Sequence, residues 1–146
     1  MGLLAVAVTA VRAIRAASAA DSDAIASLLR PEWHDTMRRA IAGGGCAVAE
    51  IDGRIVAYVC RDETFYGNGW VSLLYVREEA RRRGLGEALM RHAMASCRTE
   101  KLFTSTNLSN GPMQALLGKL GFELTGVIHN LDPGDPELVY LRRGAG

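Results

Sequence analysis

The stretch Val71-Ser-Leu-Leu-Tyr-Val-Arg-Glu-Glu-Ala-Arg-Arg-Arg-Gly-Leu-Gly-Glu-Ala-Leu-Met90 combines a strand, a basic loop and the start of a helix. Its opening residues, Val71 to Val76, are apolar and rich in strand-forming side chains, which predicts a buried β-strand. From about Gly84 onward, Leu85 and Leu89 recur at helical spacing, which predicts a long helix. A short charged loop joins the two elements.

The junction between this strand and this helix is suited to hold a phosphate group. The N–H groups of a first helical turn lack intrahelical partners, and the helix dipole favours an anion there. Gly84 and Gly86 have no Cβ that would keep a phosphate away from the backbone, and Arg81, Arg82 and Arg83 add positive charge. The spacing is neither a Walker A loop nor a three-glycine dinucleotide motif. A solvated basic loop before an ordinary helical turn is the alternative interpretation.

Arg81-x-x-Gly84-x-Gly86, preceded by Leu74-x-Val76 and followed by an apolar helix, resembles the acyl-CoA-binding motif of the GNAT N-acetyltransferases. The segment from Asn107 to Phe122 is similar to the Asn…Tyr-x-x-x-Gly-Phe segment of the same family. The resemblance covers roughly residues 10–142. It implies an α/β fold with a mixed, mostly antiparallel central sheet flanked by helices.

The pattern of the remaining chain predicts elements in the order β-α-α-β-β-β-α-β-α-β-β, which is the order of that family. Ser18 and Asp21 have the spacing of a helix capping box, and Asp52-Gly53 is a signal for a two-residue hairpin. Strands are predicted at Val11–Ala16, Cys46–Ile51, Arg54–Arg61, Lys101–Thr106, Glu123–His129 and Glu137–Arg142. The first helix is predicted to follow the capping box and to end at about Arg30. Two further helices are predicted over Glu32–Ala42 and from Pro112 to the ending at Gly121.

Composition predicts one soluble domain over residues 1–146, with residues 1–9 as a flexible or additional amino-terminal segment. A formal net charge of +1 argues against a dedicated nucleic-acid binder. No apolar run reaches the ~20 residues of a membrane span, and the first residues lack the charged start of a secretory signal. The cysteines, Cys46, Cys60 and Cys97, have no zinc or disulfide spacing, so we expect a reduced cytoplasmic protein without a metal. Homodimer formation stays open.

The resemblance implies direct transfer of an acetyl group from acetyl-CoA to an amine within a ternary complex. Asn107 and Asn110 allow a second interpretation as a turn and a helix N-cap. The residues expected to bind coenzyme A are Leu74, Tyr75, Val76, Arg81, Arg82, Arg83, Gly84, Leu85, Gly86, Asn107 and Asn110.

The expected catalytic groups are incomplete in this sequence. Where many members of the family have a tyrosine that is proposed to protonate the leaving thiolate, this chain has Leu117, whose place in an apolar stripe predicts core packing. The thiolate then leaves unassisted, takes a proton from another donor such as Tyr75 or water, or the protein binds acyl-CoA without catalysis. Glu63 and His34 are the main candidates for a general base. Asp62, Ser72 and His129 are further candidates, and a chain of water molecules could replace any of them.

Aromatic and acidic side chains are the candidates to bind the acceptor amine. Trp33, Tyr66 and Trp70 are candidate walls of the acceptor pocket, with core packing as the alternative for each. Acidic residues near the last hairpin, Asp132 and Glu137 among them, favour a cationic acceptor unless they form a solvated turn. A small molecule with a primary amine is the expected acceptor. A protein amino terminus or lysine, and a non-catalytic acyl-CoA sensor, are the alternatives.

Overall fold

The computed structural model describes residues 12–144, so the prediction for residues 1–9 lies outside the described residues. The order of strands and helices is the predicted one. The strands are β1 Arg12–Ala16, β2 Cys46–Ile51, β3 Arg54–Phe65, β4 Asn68–Val76, β5 Lys101–Asn107, β6 Glu123–Ile128 and β7 Glu137–Arg143, and the helices are α1 Ser22–Ala26, α2 His34–Ala42, α3 Leu85–Ser96 and α4 Gly111–Lys119.

The strands form one mixed sheet in the order β1-β2-β3-β4-β5-β7-β6, in which β4 and β5 are the parallel pair. The prediction of a mixed, mostly antiparallel sheet is therefore confirmed. Helices α3 and α4 pack on one face, where Leu85, Leu89 and Leu117 are buried. Helices α1 and α2 pack on the other face, around Ile25 and Met37.

Strands β4 and β5 separate partway along their length. Their ladder runs from Gly69 opposite Leu102 to Val71 opposite Thr104, and in the described chain it goes no further. At the same point Ser72 is an extra residue in β4, because Val71 pairs with Arg61 and Leu73 pairs with Cys60 on β3. A bulge of this kind bends the strand and increases its twist. The bulge at Ser72 thus directly follows Val71, the last residue of β4 that pairs with β5.

Several predicted boundaries were wrong. Helix α1 ends at Ala26 rather than near Arg30, because the N–H groups of Leu28 and Leu29 bond three residues back and tighten the chain into a 3₁₀-type turn. Strand β3 continues to Phe65 and β4 begins at Asn68. The expected loop is therefore only the two-residue turn Tyr66-Gly67, with φ of 53° and 78°.

The carboxyl end of α4 was predicted correctly. Gly121 has a φ of 86°, its N–H donates to Gly118 O at 3.1 Å, and the Phe122 N–H donates to Leu117 O at 2.9 Å. These are the two bonds of a Schellman motif. Leu117 itself has no exposed surface, which confirms its predicted place in the core.

Candidate functional site

Two adjoining clefts occupy the opening between β4 and β5. The smaller, about 230 Å³, extends from the bulge at Ser72 along β5, and the larger, about 420 Å³, extends toward the start of α3. Leu74, Asn110 and Met113 line both. The smaller cleft is also lined by Val71, Ser72, Leu73, Thr104, Ser105 and Thr106, and the larger by Tyr75, Val76, Arg81, Gly86, Pro112 and Leu116. Together the clefts form a channel from the middle of the sheet to the first turn of a helix.

Gly84 is the N-cap of α3 and has a left-handed φ of 76°. A Cβ at Gly84 would meet no protein atom within 4 Å, and one at Gly86 would lie 3.8 Å from Val76 Cγ2. Neighbouring protein atoms therefore do not require glycine at either position, although the φ of Gly84 favours it. The space beside Gly84 is open, as the phosphate interpretation needs.

The three arginines before this helix have different surroundings. The Arg81 Nε donates to Val76 O at 2.9 Å, so Arg81 is held against the end of β4 and lines the larger cleft. Arg82 is exposed and has a positive φ of 65°. Arg83 faces a separate depression of about 360 Å³, and its carbonyl accepts a bond from Arg12. Of the three, the structure brings Arg81 into the cleft.

The two asparagines also have different roles. Asn110 Oδ1 accepts from the Met113 N–H at 3.1 Å, so Asn110 caps α4 while it lines both clefts. Asn107 Nδ2 donates to Asp132 Oδ2 at 2.9 Å, which ties the end of β5 to the loop before β7. Asn107 does not line either cleft. The two interpretations of Asn110 are thus compatible, whereas Asn107 has a structural partner.

A further cleft of about 540 Å³ lies near the start of β4 and the start of α2. Trp33, 44% exposed, and Trp70 line it, and the Trp70 ring stacks on Phe65 with centroids 4.7 Å apart. Tyr66 is 89% exposed at the tip of the β3–β4 turn and is not part of this wall. The other lining residues are Thr36, Arg39, Asp62, Glu63 and Thr64.

Glu63 forms an ion pair that the sequence did not indicate. The Arg61 side chain is 1% exposed, and its Nη1 donates to Glu63 Oε1 at 2.6 Å. Its Nη2 donates to Ser96 O at 3.2 Å, and its Nε is buried without a partner. Arg61 therefore fixes one oxygen of Glu63 at the wall of the 540 Å³ cleft. The position of Arg61 directly after the apolar run Ile55 to Cys60 was the one signal of this role.

The other two candidate catalytic side chains lie elsewhere. His34 Nε2 lies 2.9 Å from Leu29 O and 3.1 Å from Ala26 O, so it holds the turn after α1 and does not line the clefts. The Tyr75 ring packs on the α1–α2 side, 5.7 Å from the Tyr58 ring, although Tyr75 also lines the larger cleft.

Within residues 12–144, no group of three or more His, Cys, Asp or Glu side chains is arranged to hold a metal ion. None of the helices described in that range is long and apolar enough to cross a membrane.

A family model described as the Acetyltransferase (GNAT) family matches residues 12–122. An N-alpha-acetyltransferase of Sulfurisphaera tokodaii is 32% identical over 109 residues, which are 64% of this chain and 65% of the relative. A 5-NmdU N-acetyltransferase of Pseudomonas phage PaMx11 is 32% identical over 84 residues, which are 57% of this chain and 60% of the relative. The chain thus spans somewhat less than two thirds of these curated relatives.

Solved structures share this architecture. A GNAT-family acetyltransferase of Bacillus cereus ATCC 10987 has a TM-score of 0.82 and 28% identity, over 93% of this chain and 99% of that one. A Salmonella typhimurium protein solved with its cofactor acetyl-CoA has a TM-score of 0.73, over 90% of this chain and 93% of that one. Its identity of 18% shows a common fold only.

Proposed function

Because the chain belongs to the GNAT family of acetyltransferases, we propose that it transfers an acetyl group from acetyl-CoA to a primary amine while both are bound. The observation that carries this proposal is the channel between β4 and β5, which ends at the glycine-marked first turn of α3. Both curated relatives are N-acetyltransferases, which supports the same reaction class.

In this proposal the amides after Gly84, with Arg81, bind the pyrophosphate of coenzyme A. Leu74, Tyr75 and Val76 offer backbone groups to the pantetheine arm, because β4 has left its β5 partner there. Asn110 lines the channel at the start of α4. Arg82, Arg83, Leu85 and Gly86 complete the loop, whereas Asn107 supports the channel indirectly through the loop before β7.

The thioester is proposed to lie at the bulge, where the smaller cleft meets Ser72 and Leu73. Leu117 is enclosed in the core, so it neither reaches this point nor carries a proton. We propose that the thiolate leaves unassisted and takes its proton from water, since a thiol pKa near ~8.5 makes assistance only mildly helpful at neutral pH. Positioning of the two reactants can supply up to about 7–11 kcal/mol of the rate enhancement.

For the acceptor we propose a small molecule with a primary amine, which binds in the 540 Å³ cleft. We propose that the protein acts in the cytoplasm. Asp62 and Glu63 supply negative charge to an ammonium group, while Trp33 and Trp70 supply aromatic surface. Glu63 is better suited to bind the cation than to take its proton, because protonation would deprive the buried Arg61 of its counter-charge. A peptide amino terminus is the second candidate, because one relative is an N-alpha-acetyltransferase.

The test is release of free thiol from acetyl-CoA in the presence of a library of small amines and of short peptides with different first residues. Turnover with small amines and not with peptides supports the proposed acceptor. Turnover with peptides alone would show that a peptide amino terminus is the acceptor. Tight binding of acetyl-CoA without turnover of any amine supports an acyl-CoA sensor and overturns the enzyme proposal.

A further inference from the structure

One face of the sheet connects the acceptor cleft with an acidic side chain on β7. Trp70 lines the 540 Å³ cleft and lies opposite Phe103 in the β4–β5 ladder, and the Phe65 ring is 4.7 Å from both of their rings. Ser105 follows Phe103 by two residues, so it stands on the same face of β5. The acceptor side of the sheet thus continues from Trp70 to Ser105.

Glu137 stands on this same face, beside Ser105. In the β5–β7 ladder Glu137 pairs with Asn107 and Ser105 pairs with Val139, and residues directly opposite in a ladder share a face. The Ser105 side chain interacts with the Glu137 carboxylate and also lines the smaller cleft. Ser105 therefore stands between the cleft at the bulge and a half-buried carboxylate.

The surroundings of Glu137 favour proton uptake. Burial raises the pKa of Glu137, the nearby Asp132 and Asp135 raise it further, and Ser105 lowers it. Among the described residues, Asp132 and Asp135 are the charged groups that act on this carboxylate. Its neighbours on β5, Ser105 and Asn107, are uncharged. A carboxylate with these neighbours takes a proton more readily than an ordinary surface glutamate.

We infer that Glu137 accepts the proton that the acceptor ammonium must lose, with the Ser105 hydroxyl as the relay. This inference rests on the proposed function. One N–H bond of the ammonium breaks, Ser105 Oγ receives that proton, and Ser105 passes its own proton to the Glu137 carboxylate. The neutral amine then attacks the thioester carbonyl, so that a C–N bond forms, the C–S bond breaks and coenzyme A leaves as the thiolate. The second N–H proton, now on the acetylated nitrogen, passes through water to that thiolate, which becomes the thiol. Glu137 returns its proton to water.

This assignment differs from the sequence-based expectation that Glu63 or His34 is the base. Glu63 is paired with the buried Arg61, and the His34 ring is bonded to the turn after α1. Glu137 has no such cationic partner among the described residues, and the charged groups that act on it, Asp132 and Asp135, are carboxylates. The sequence showed the acidic residues near the last hairpin but not the strand register that aligns one of them with Ser105.

The test compares the wild type with Glu137→Gln, Ser105→Ala and the control Glu123→Gln, which removes an exposed carboxylate from the edge strand β6. We expect Glu137→Gln to lower kcat by ~100-fold or more and to abolish the acidic limb of the pH profile of kcat/KM. Coenzyme A should still raise its Tm as it does for the wild type. Ser105→Ala should lower kcat by a smaller factor, and Glu123→Gln should leave kcat unchanged.

A second measurement needs neither turnover nor ligand. Carbon-13 NMR of the side-chain carboxyl groups should show Glu137 titrating above the ordinary range for glutamate, and Asp132→Asn should move that titration to lower pH. The acidic limb of kcat/KM should move in the same direction. Kinetics of Glu137→Gln within twofold of the wild type, or an ordinary NMR titration, overturn the role of Glu137 alone. A wild type that turns over no amine overturns the proposed function, and this inference with it.

Discussion

Replacing Gly84 by alanine separates the backbone requirement of this position from its proposed contact with phosphate. The φ of 76° is left-handed, which costs an alanine about 1–2 kcal/mol. The added methyl group meets no protein atom within 4 Å, so no clash adds to that cost. For a chain of this size the Tm without ligand should fall by roughly 2–8 °C. This first effect concerns stability alone.

The second effect appears only with coenzyme A present. At a ligand concentration 100 times Kd, binding stabilises the wild type by about 2.7 kcal/mol. If the methyl group occupies the place of a phosphate and weakens binding 100-fold, only about 0.4 kcal/mol of that stabilisation remains at the same concentration. Differential scanning fluorimetry over a series of coenzyme A concentrations measures both quantities.

Gly67→Ala is the matched control. Gly67 has a φ of 78° and open space around its Cβ position, but it lies in the turn at the far end of β4. It should lose about the same Tm without ligand and keep the full shift with coenzyme A. Gly84→Ala with a wild-type shift would refute the phosphate assignment. Equal loss of the shift in both variants would show a general effect of destabilisation.

Three further substitutions test separate parts of the structure. Leu117→Ala should lower the free energy of unfolding by about 2–5 kcal/mol, because Leu117 is fully buried. The kcat at 20 °C should stay within twofold of the wild type. A selective loss of turnover would contradict the packing role. Asn110→Ala should lose about 1 kcal/mol of stability, because Asn110 caps α4. Its affinity for coenzyme A, measured by calorimetry, should also fall. An unchanged affinity would show that Asn110 serves only as a helix cap. Bonds from Arg15 lower the pKa of Asp21 from 3.8 to about 2, partly opposed by burial. Ionised Asp21, bonded to Arg15 and Ser18, therefore contributes up to about 2 kcal/mol to the free energy of unfolding above pH 4. This contribution is lost as the pH falls toward 2. Denaturant unfolding of Asp21→Asn should show a smaller loss of stability between pH 4 and pH 2 than the wild type does.

The parts of the fold that were predicted well depend on local sequence. The Schellman motif at Gly121 needs only a glycine and an apolar residue after an apolar helix, and all of these are neighbours in the chain. The hairpin at Asp52-Gly53 and the order of the strands and helices follow from short patterns in the same way. Helix α1 was predicted too long because its last residues are apolar at helical spacing, although the chain bonds there in 3₁₀ fashion.

The candidate site was only partly predictable, because several of its features arise between strands. Arg61 and Glu63 are near each other in sequence, but nothing local shows that Arg61 is enclosed against the end of α3 at Ser96. Tyr66 was expected in the acceptor wall because the family resemblance places the loop before β4 beside the acceptor. That loop is only a two-residue turn, and Tyr66 is exposed at its tip. Ser105 and Glu137 meet only through the β5–β7 register, which no motif in the sequence specifies.

The separation of β4 from β5 links the stability of this sheet to its proposed activity. Each ladder hydrogen bond adds about 0.5–1.5 kcal/mol to stability, so a sheet that stops pairing at Val71 gives up part of that contribution along Leu73 to Val76. Backbone groups left without strand partners require water or a ligand. Both strands stay fixed, β4 by its pairing with β3 and β5 by its pairing with β7. The edge of β4 is therefore held rigidly open, and an extended ligand that replaces the missing strand can bind without reorganising the sheet.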